Sequence, residues 1–463
     1  MNVRIACLTL ENFMNVGWGG ICSSSYTEKS PFLSSDMMGI YGQNGSGKTA
    51  LIHAVRILKY CLEGMPLPSY MDEFIQKGKE KSNFQFSFLM EKEQKRYRAE
   101  YHFSIQRVCQ DFPGEGLHHP FRITDEKLYC KIGNKRKKLL IGYDKNEKLV
   151  SLRPRALQKS VEKSNENSQI DLTVEEGISR VQGKSFLFSA ELMKFLRATY
   201  SVMEEGEIFK DIIEGLIEYG HRKLHVFGNQ EDGIINLSIG LPMTIHSKRH
   251  WGDILVPVNA QSQGGVLIPE ILFQTVQKMI PKINRVLNAM IPDVNIKFEE
   301  LGRELNKKGE KMVRGELISL RGDQKIPIRY ESEGIKKIIC ILPIFIGAFS
   351  DPSMTIAVDE LDAGIFEYLL GEILRVFQDY GKGQLLFTSH NMRPLELLNQ
   401  QFIIFTTINP ENRYIQIKRI KRSNNLRDVY YRDIQLGGEK ETLYQETSRN
   451  ALAFALEEAE EDG

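Results

Sequence analysis

The sequence predicts an α/β protein built around a parallel β-sheet, and three observations support this prediction. A glycine-rich loop at residues 42–49 lies between a short apolar segment and an apolar repeat with helical spacing. A second apolar segment, residues 354–358, ends in two carboxylates. A third, residues 385–388, leads into Ser389 and His390. Continuous apolar runs are typical of parallel strands buried on both faces, with helices as the connections between them.

The first 157 residues are predicted to form a lobe rich in antiparallel strands. Val3, Ile5 and Cys7 recur at every second position, as in a strand, and residues 83–90, 96–105 and 128–140 are further strand candidates. The parallel strand at 37–41 lies within this lobe and ends at the glycine-rich loop.

That loop fits the pattern G-x-x-x-x-G-K-[ST], which binds the phosphates of a nucleoside triphosphate. Its glycines let successive N–H groups point at phosphate oxygens. Lys48 is predicted to neutralise the β- and γ-phosphates, and the Thr49 hydroxyl to ligate Mg²⁺. The other predicted nucleotide-binding residues are Asn44, Gly45, Ser46 and Gly47.

Residues 158–293 are predicted to form a mainly helical insert. Apolar residues repeat at helical spacing from 272 to 290, which predicts an amphipathic helix kinked at Pro281. We expect its apolar face to contact the core. The insert has no sustained heptads, so a long coiled-coil arm is excluded.

Residues 294–440 are predicted to form a second lobe. Residues 321–324 join two strand candidates as a hairpin. Ser332 then caps a helix that starts near Gly334, and a helix N-terminus is a site for anions. At the end of the strand at 354–358, Asp359 is expected to hold Mg²⁺ and Glu360 to orient or deprotonate the attacking water.

A helix is predicted over 364–380, between this strand and the one at 385–388. Because the two strands are then parallel and adjacent, His390 is expected to reach the γ-phosphate. Another apolar strand is predicted at 402–405. Residues 441–463 are predicted as a helical, acidic C-terminal tail.

These motifs resemble those of a known family. GQNGSGKT is similar to the phosphate loop of ABC-type ATPases, in particular the SMC, RecF and OLD branch. Residues 359–363, DELDA, resemble the DE-x-DA motif of that branch, although Phe366 occupies its last acidic position. Ser389-His390 resembles the switch histidine, and residues 330–337, YESEGIKK, resemble the S-x-G signature of compact bacterial members.

The resemblance implies an ABC-ATPase head with an antiparallel β lobe, a parallel-sheet core carrying the phosphate loop, a helical insert and no long coiled coil. It implies Mg²⁺-dependent hydrolysis of ATP, with Gln182 as the glutamine that senses Mg²⁺. It also implies a homo-oligomer, since Ser332 and Gly334 would contact the nucleotide bound by a second subunit.

Among families of this branch, the chain most resembles the ATPase subunit of PARIS-type anti-phage defence systems. That resemblance implies a separate effector, a TOPRIM-type nuclease or a toxin, and an acidic phage protein as the trigger. The alternative is a RecF-like repair ATPase that binds DNA directly. A non-hydrolysing scaffold is a third hypothesis, against which Glu360 argues because a scaffold needs no general base.

Composition limits the partners and the cellular compartment that we expect. The chain has a formal net charge of +1 and 26% charged residues, so its overall charge does not indicate a protein that binds polyanions. Six scattered cysteines favour a reducing compartment, and apolar stretches are too short to span a bilayer, so we expect a cytoplasmic protein with no membrane partner. Basic clusters at 131–138 and 413–432 leave nucleic acid open as a partner. The lack of an N-K-x-D motif argues against a GTPase.

Overall fold

The centre of the fold is a six-stranded sheet. The computed structural model describes residues 1–24, 31–93, 95–108, 120–133, 136–145, 150–164, 168–200, 206–236, 240–246, 251–257, 265–417, 426–436, 441–445 and 448–461. The strands of the central sheet are β3 (Asp36–Tyr41), β9 (Leu224–Phe227), β16 (Thr355–Val358), β17 (Gln384–Thr388), β18 (Ile403–Thr406) and β19 (Tyr414–Ile415). Their order is β19-β18-β3-β17-β16-β9, and all neighbours are parallel except β19, which runs antiparallel to β18.

Each face of this sheet is covered by helices, which is why its strands are apolar throughout. Helices α1 (Lys48–Glu63) and α5 (Gly206–Arg222) share one hydrophobic core with the face that presents Met38 and Ile40. Helices α8 (Glu333–Ser350) and α9 (Glu367–Tyr380) share a second core with the opposite face. The sheet therefore holds its loops at the carboxyl ends of the strands, between two packed layers.

The N-terminal lobe carries a seven-stranded antiparallel sheet in the order β2-β1-β4-β5-β6-β7-β8. Its strands are β1 (Asn2–Phe13), β2 (Val16–Cys22), β4 (Lys81–Lys92), β5 (Lys95–Arg107), β6 (Phe121–Ile132), β7 (Lys138–Lys145) and β8 (Val150–Arg153). The predicted fold class, α/β with an antiparallel lobe and a parallel core sheet, is confirmed. The scattered cysteines led us to expect a reducing compartment. In the structure, however, Cys7 and Cys22, which face each other across β1 and β2, form a disulfide.

The region predicted as a mainly helical insert, residues 158–293, also contributes a strand to the core sheet. Residues 158–293 contain β9, which pairs in parallel with β16. Four apolar positions in a row are too short a signal to distinguish such a strand from the end of the preceding helix. The other elements here are α2 (Arg155–Ser164), α3 (Ser168–Val181), α4 (Ala190–Thr199), α6 (Asn229–Asn236), β10 (Gly240–His246), β11 (Trp251–Pro257), β12 (Val266–Pro269) and α7 (Glu270–Met290).

The second lobe adds a small antiparallel sheet made of β12, β13 (Val294–Leu305), β14 (Lys311–Arg321) and β15 (Gln324–Pro327), with the predicted hairpin between β14 and β15. Helix α7 contains Pro281 and buries one face in the second core, as expected. The remaining helices are α10 (Pro394–Leu397), α11 (Leu426–Leu436) and α12 (Arg449–Glu461). Among the described residues, no helix has the length and apolar character needed to cross a membrane.

Candidate functional site

The glycine-rich loop joins β3 to α1, and it places a lysine at the start of the helix. Gly47 precedes α1 with φ 93°, a left-handed conformation that favours glycine. The Lys48 Nζ donates to the carbonyl oxygens of Gly42 and Gln43, at 2.9 Å each. Burial lowers the pKa of Lys48, while Asp359 and nearby acidic groups act to raise it. The loop thus combines a cation with a helix N-terminus, and both favour an anion.

The two carboxylates after β16 are positioned by one hydroxyl. Thr388, the last residue of β17, donates from Oγ1 to Asp359 Oδ1 at 2.5 Å. The same Oγ1 accepts from the Glu360 N–H at 2.7 Å. Glu360 has φ 46°, so its backbone turns sharply away from the strand. Asp359 is consequently buried and oriented, whereas the Glu360 side chain is exposed to solvent.

The loop and the carboxylates open into one cavity of about 440 Å³. Its lining combines donors from the loop with acidic groups from the strand ends: Met14, Asn15, Asn44, Gly45, Gly47, Lys48, Thr49, Ala50, Asp359, Glu360 and His390. Of the loop residues predicted to bind nucleotide, Ser46 is not among those that line the cavity. It is buried, and its hydroxyl donates to the Gln43 carbonyl oxygen at 2.7 Å.

His390 is held at this cavity by Asp362. The backbone N–H groups of His390 and Asn391 both donate to Asp362 Oδ2 at 3.0 Å. The His390 residue itself is exposed and lines the cavity. Asp362 therefore fixes the turn that carries His390.

The predicted signature residues lie outside this cavity. Ser332 caps α8, and its Oγ accepts from the Ile335 N–H at 3.4 Å. Gly334 packs so closely on Gly364 that a Cβ at position 334 would lie 1.8 Å from the Gly364 carbonyl oxygen. The start of α8 thus contacts the loop that follows Glu360. Within one chain, the structure does not bring Ser332 or Gly334 to Lys48.

Lys337 connects α8 to the catalytic candidates, a role that the sequence did not reveal. Its Nζ donates to the Glu360 carbonyl oxygen at 2.8 Å and lies 3.3 Å from the carboxylate of Asp232 on α6. The side chain is only 4% exposed. A buried lysine needs such partners, because an unpaired buried charge is costly. Lys337 therefore ties the signature helix to Glu360 and to the segment after β9.

Lys337→Met should slow hydrolysis with little change in ATP affinity, because it releases the Glu360 backbone without touching the phosphate loop. Loss of a hydrogen bond to a charged group costs about 1.5–3 kcal/mol, so we expect turnover to fall by about ten- to a hundredfold. Steady-state phosphate release gives kcat and KM separately. Lys337→Arg should recover part of the activity, and Lys325→Met, at an exposed ion pair with Glu299, is the matched control. An unchanged kcat would contradict this role.

Gln182, the predicted Mg²⁺-sensing glutamine, lies elsewhere. It is exposed at the end of α3, and the next residue, Gly183, accepts a hydrogen bond from the Leu67 N–H. Leu67 follows the C-terminus of α1, a 16-residue helix. Since a helix rises 1.5 Å per residue, Gln182 is on the order of 20 Å from Lys48. The spacing in sequence could not show that α3 packs at the far end of α1.

Another glutamine, Gln230, follows the strand β9 beside the site. The Asp359 N–H donates to the Phe227 carbonyl oxygen at 2.8 Å, so the end of β9 lies directly beside the site. Gln230 follows three residues later, and its Oε1 accepts from Arg56 at 3.4 Å. Arg56 also holds Glu231 through two hydrogen bonds of 2.6 and 2.8 Å. The signal in the sequence that could have indicated this segment is the short run at 224–227, which Gln230 follows.

Of the two basic clusters, the one at 413–432 begins with a buried arginine, whereas Arg136, Lys137 and Lys138 of the other are exposed. Arg413 is buried and donates to the carbonyl oxygens of Thr407 and Asn15, and Tyr414 donates to that of Gly47 at 2.8 Å. These residues support the phosphate loop. Lys137 pairs with Glu100, in the other cluster. Several members lie outside the described residues: Lys135, Lys418, Arg419, Lys421 and Arg422.

Comparisons with known proteins give distant similarities. The structure is similar to an SMC head domain from Pyrococcus furiosus bound to the C-terminal domain of ScpA, at 12% identity over 90% of this chain and 96% of that one, with a TM-score of 0.40. It is also similar to the SMC head domain from Thermotoga maritima, at 12% identity over 90% and 100% of the two chains, with a TM-score of 0.37.

A third similarity is to the recombination mediator RecF in complex with an ATP analogue, at 12% identity over 87% and 97% of the two chains, with a TM-score of 0.35. No protein-family model and no curated protein matches the sequence. At these low TM-scores, the similarities do not establish what this chain does.

Proposed function

We propose that the chain binds and hydrolyses ATP as an ABC-type ATPase head. The observation that carries this proposal is the single cavity shared by Lys48, Thr49, Asp359, Glu360 and His390. A phosphate chain on the loop would place its γ-phosphate among these groups. Glu360, exposed at the mouth, is then the general base, and His390 contacts the γ-phosphate.

The site also suits Mg²⁺. Thr49 supplies a hydroxyl and Asp359 a carboxylate in the same cavity, and oxygen ligands are those that Mg²⁺ prefers. Among the described residues, no group of three or more metal-binding side chains occurs. Mg²⁺ is usually bound by one or two protein groups together with substrate phosphates and water. When bound, the ion would neutralise charge on the β- and γ-phosphates.

We propose further that two copies sandwich the nucleotide. Ser332 and the start of α8 form an exposed helix N-terminus that lies outside the chain's own phosphate cavity. Such an end binds anions, and a second copy can bring it to the γ-phosphate. Lys337 then links that end of α8 to Glu360 of the same chain, so contact with one nucleotide would affect hydrolysis of the other.

The proposal is tested by measuring phosphate release at increasing chain concentration, with ATP saturating and Mg²⁺ in excess. Turnover per chain should rise with concentration and then level off as dimers form. ATP binding is measured in parallel by calorimetry. Absence of ATP binding would refute the nucleotide site, while binding with a turnover per chain that does not depend on concentration would refute the sandwich.

The biological role proposed for this ATPase is control of a separate effector, a nuclease or toxin, in anti-phage defence. Its support is the sequence resemblance alone. Co-purification from a DNA segment with the native flanking genes tests it, because a stoichiometric effector should accompany the chain. A chain that purifies alone, and gains salt-sensitive duplex binding with ATP, would favour the RecF-like alternative.

A further inference from the structure

Helix α12 exposes apolar side chains that none of the described residues covers. Every residue from 449 to 459 is exposed, with Leu452 at 53%, Phe454 at 62% and Leu456 at 64%. Leu452, Ala455, Leu456 and Ala459 recur at helical spacing and share one face. A lone 13-residue helix is only marginally stable in water, so this helix needs a packing partner.

An apolar groove of about 470 Å³ lies on the outer side of the second core. Helix α7 forms one wall, and α8 and α9 form the rest. Phe349 is 41% exposed and Val376 47% exposed, which is unusual for side chains of a packed core. The groove is lined by Val286, Ala289, Met290, Leu342, Phe345, Ile346, Phe349, Leu369, Glu372, Ile373, Val376 and Phe377.

The α7 edge of the groove is basic and the end of α12 is acidic. Lys282 and Arg285 are exposed on α7, and Arg285 immediately precedes the lining residue Val286. The α9 edge is mixed, because Arg375 lies 4.0 Å from Asp379. Helix α12 carries Glu457 and Glu458, both exposed, directly after its apolar face. An α12 seated in the groove can therefore direct its acidic end toward the α7 edge.

The position of α12 indicates which copy supplies it. The Gln445 N–H donates to Gln43 Oε1 at 2.9 Å, so the chain passes over its own phosphate loop just before α12 begins. The groove starts beside Leu369, three residues after Phe366, on the helix that follows the Glu360 loop. In a nucleotide sandwich, the phosphate loop of one copy faces the signature side of the other. In the sandwich proposed above, α12 of one copy therefore begins beside the second copy.

We propose that α12 of each copy packs into the α7–α8–α9 groove of the other, an exchange that strengthens the two-chain assembly. The inference rests on the sandwich proposed above and adds the surface that holds it together. A two-fold dimer contains this contact twice, so each apolar contact contributes twice to the free energy of association. Deletion or disruption of α12 should weaken association without altering the phosphate loop.

Disulfide cross-linking tests the exchange directly. Two full-length variants, Leu456→Cys and Val376→Cys, are purified separately, mixed with ATP and Mg²⁺, and oxidised gently. Both also carry Cys109→Ser, because Cys109 lies outside the described residues, whereas Cys61, Cys130 and Cys340 are buried. A dimer that joins the two variants is expected on a non-reducing gel. Phe454→Cys, on the opposite face of α12, is the matched control and should cross-link at least about tenfold less. Equal yields from both positions, or no mixed dimer, would overturn the proposal.

A second measurement does not depend on oxidation. In sedimentation experiments with ATP, Leu456→Asp and Val376→Glu should each weaken dimerisation by about tenfold or more, since each buries a charge in an apolar contact. Ala453→Asp, off the packed face, should change it little. If the protein hydrolyses ATP but shows neither the mixed cross-link nor the weakened dimerisation, the exchange of α12 is refuted and the ATPase proposal stands. If the mixed cross-link forms but the protein neither binds nor hydrolyses ATP, the ATPase proposal is refuted and the exchange stands.

Discussion

Lys48→Ala is expected to remove ATP binding, with a loss of affinity of about a hundredfold or more. The Lys48 ammonium lies buried at the start of α1, hydrogen-bonded to two carbonyl oxygens of the loop. Lys48 is predicted to bond to both the β- and γ-phosphates; each hydrogen bond to a charged group contributes about 1.5–3 kcal/mol, and about 1.4 kcal/mol is tenfold in affinity. Calorimetric titration with Mg²⁺ and ATP measures the change.

The control for this substitution is Lys59→Ala, which removes a lysine from the same helix, where it pairs with Glu63 at 3.9 Å. It should bind ATP normally. Thermal unfolding of both variants without nucleotide shows whether the fold survives, and Lys48→Met preserves more of the buried volume. Unaltered ATP affinity in a folded Lys48 variant would show that the loop does not bind phosphate.

Glu360→Gln is expected to bind ATP but to hydrolyse it about 10²- to 10⁴-fold more slowly, which is the usual contribution of a general base. The amide preserves the shape of the side chain, and the backbone contacts with Thr388 and Lys337 stay in place. Because the nucleotide persists, the two-chain assembly should accumulate. Single-turnover kinetics and sedimentation with ATP measure both effects.

Glu367→Gln serves as the control, since this exposed residue of α9 lies seven positions further along and outside the cavity. It should leave turnover unchanged. Normal hydrolysis by Glu360→Gln would mean that another group activates the water. In that case the Thr388 hydroxyl would position only Asp359 for its role in the site.

The site was predictable where its residues follow strong local patterns. The loop at 42–49 and the carboxylates at 359 and 360 stand at the ends of apolar strands, so sequence placed them at one edge of a parallel sheet, and the structure brings them into one cavity. Gln182 stands in a turn after a helix, so no strand directs it to that edge. Gln230 does follow a core strand, but β9 is only four residues long.

The sequence by itself determined the strand–loop–helix unit around Lys48 and the paired carboxylates, because local spacing and residue type suffice for a motif whose contacts are near in the chain. Only the tertiary structure decided that β9 lies beside β16, that Lys337 holds Glu360, and that Arg413 supports the phosphate loop. It also showed an apolar groove on the second core and an uncovered α12. These contacts join residues far apart in sequence, and they depend on how whole helices pack against the sheet, which no local pattern encodes.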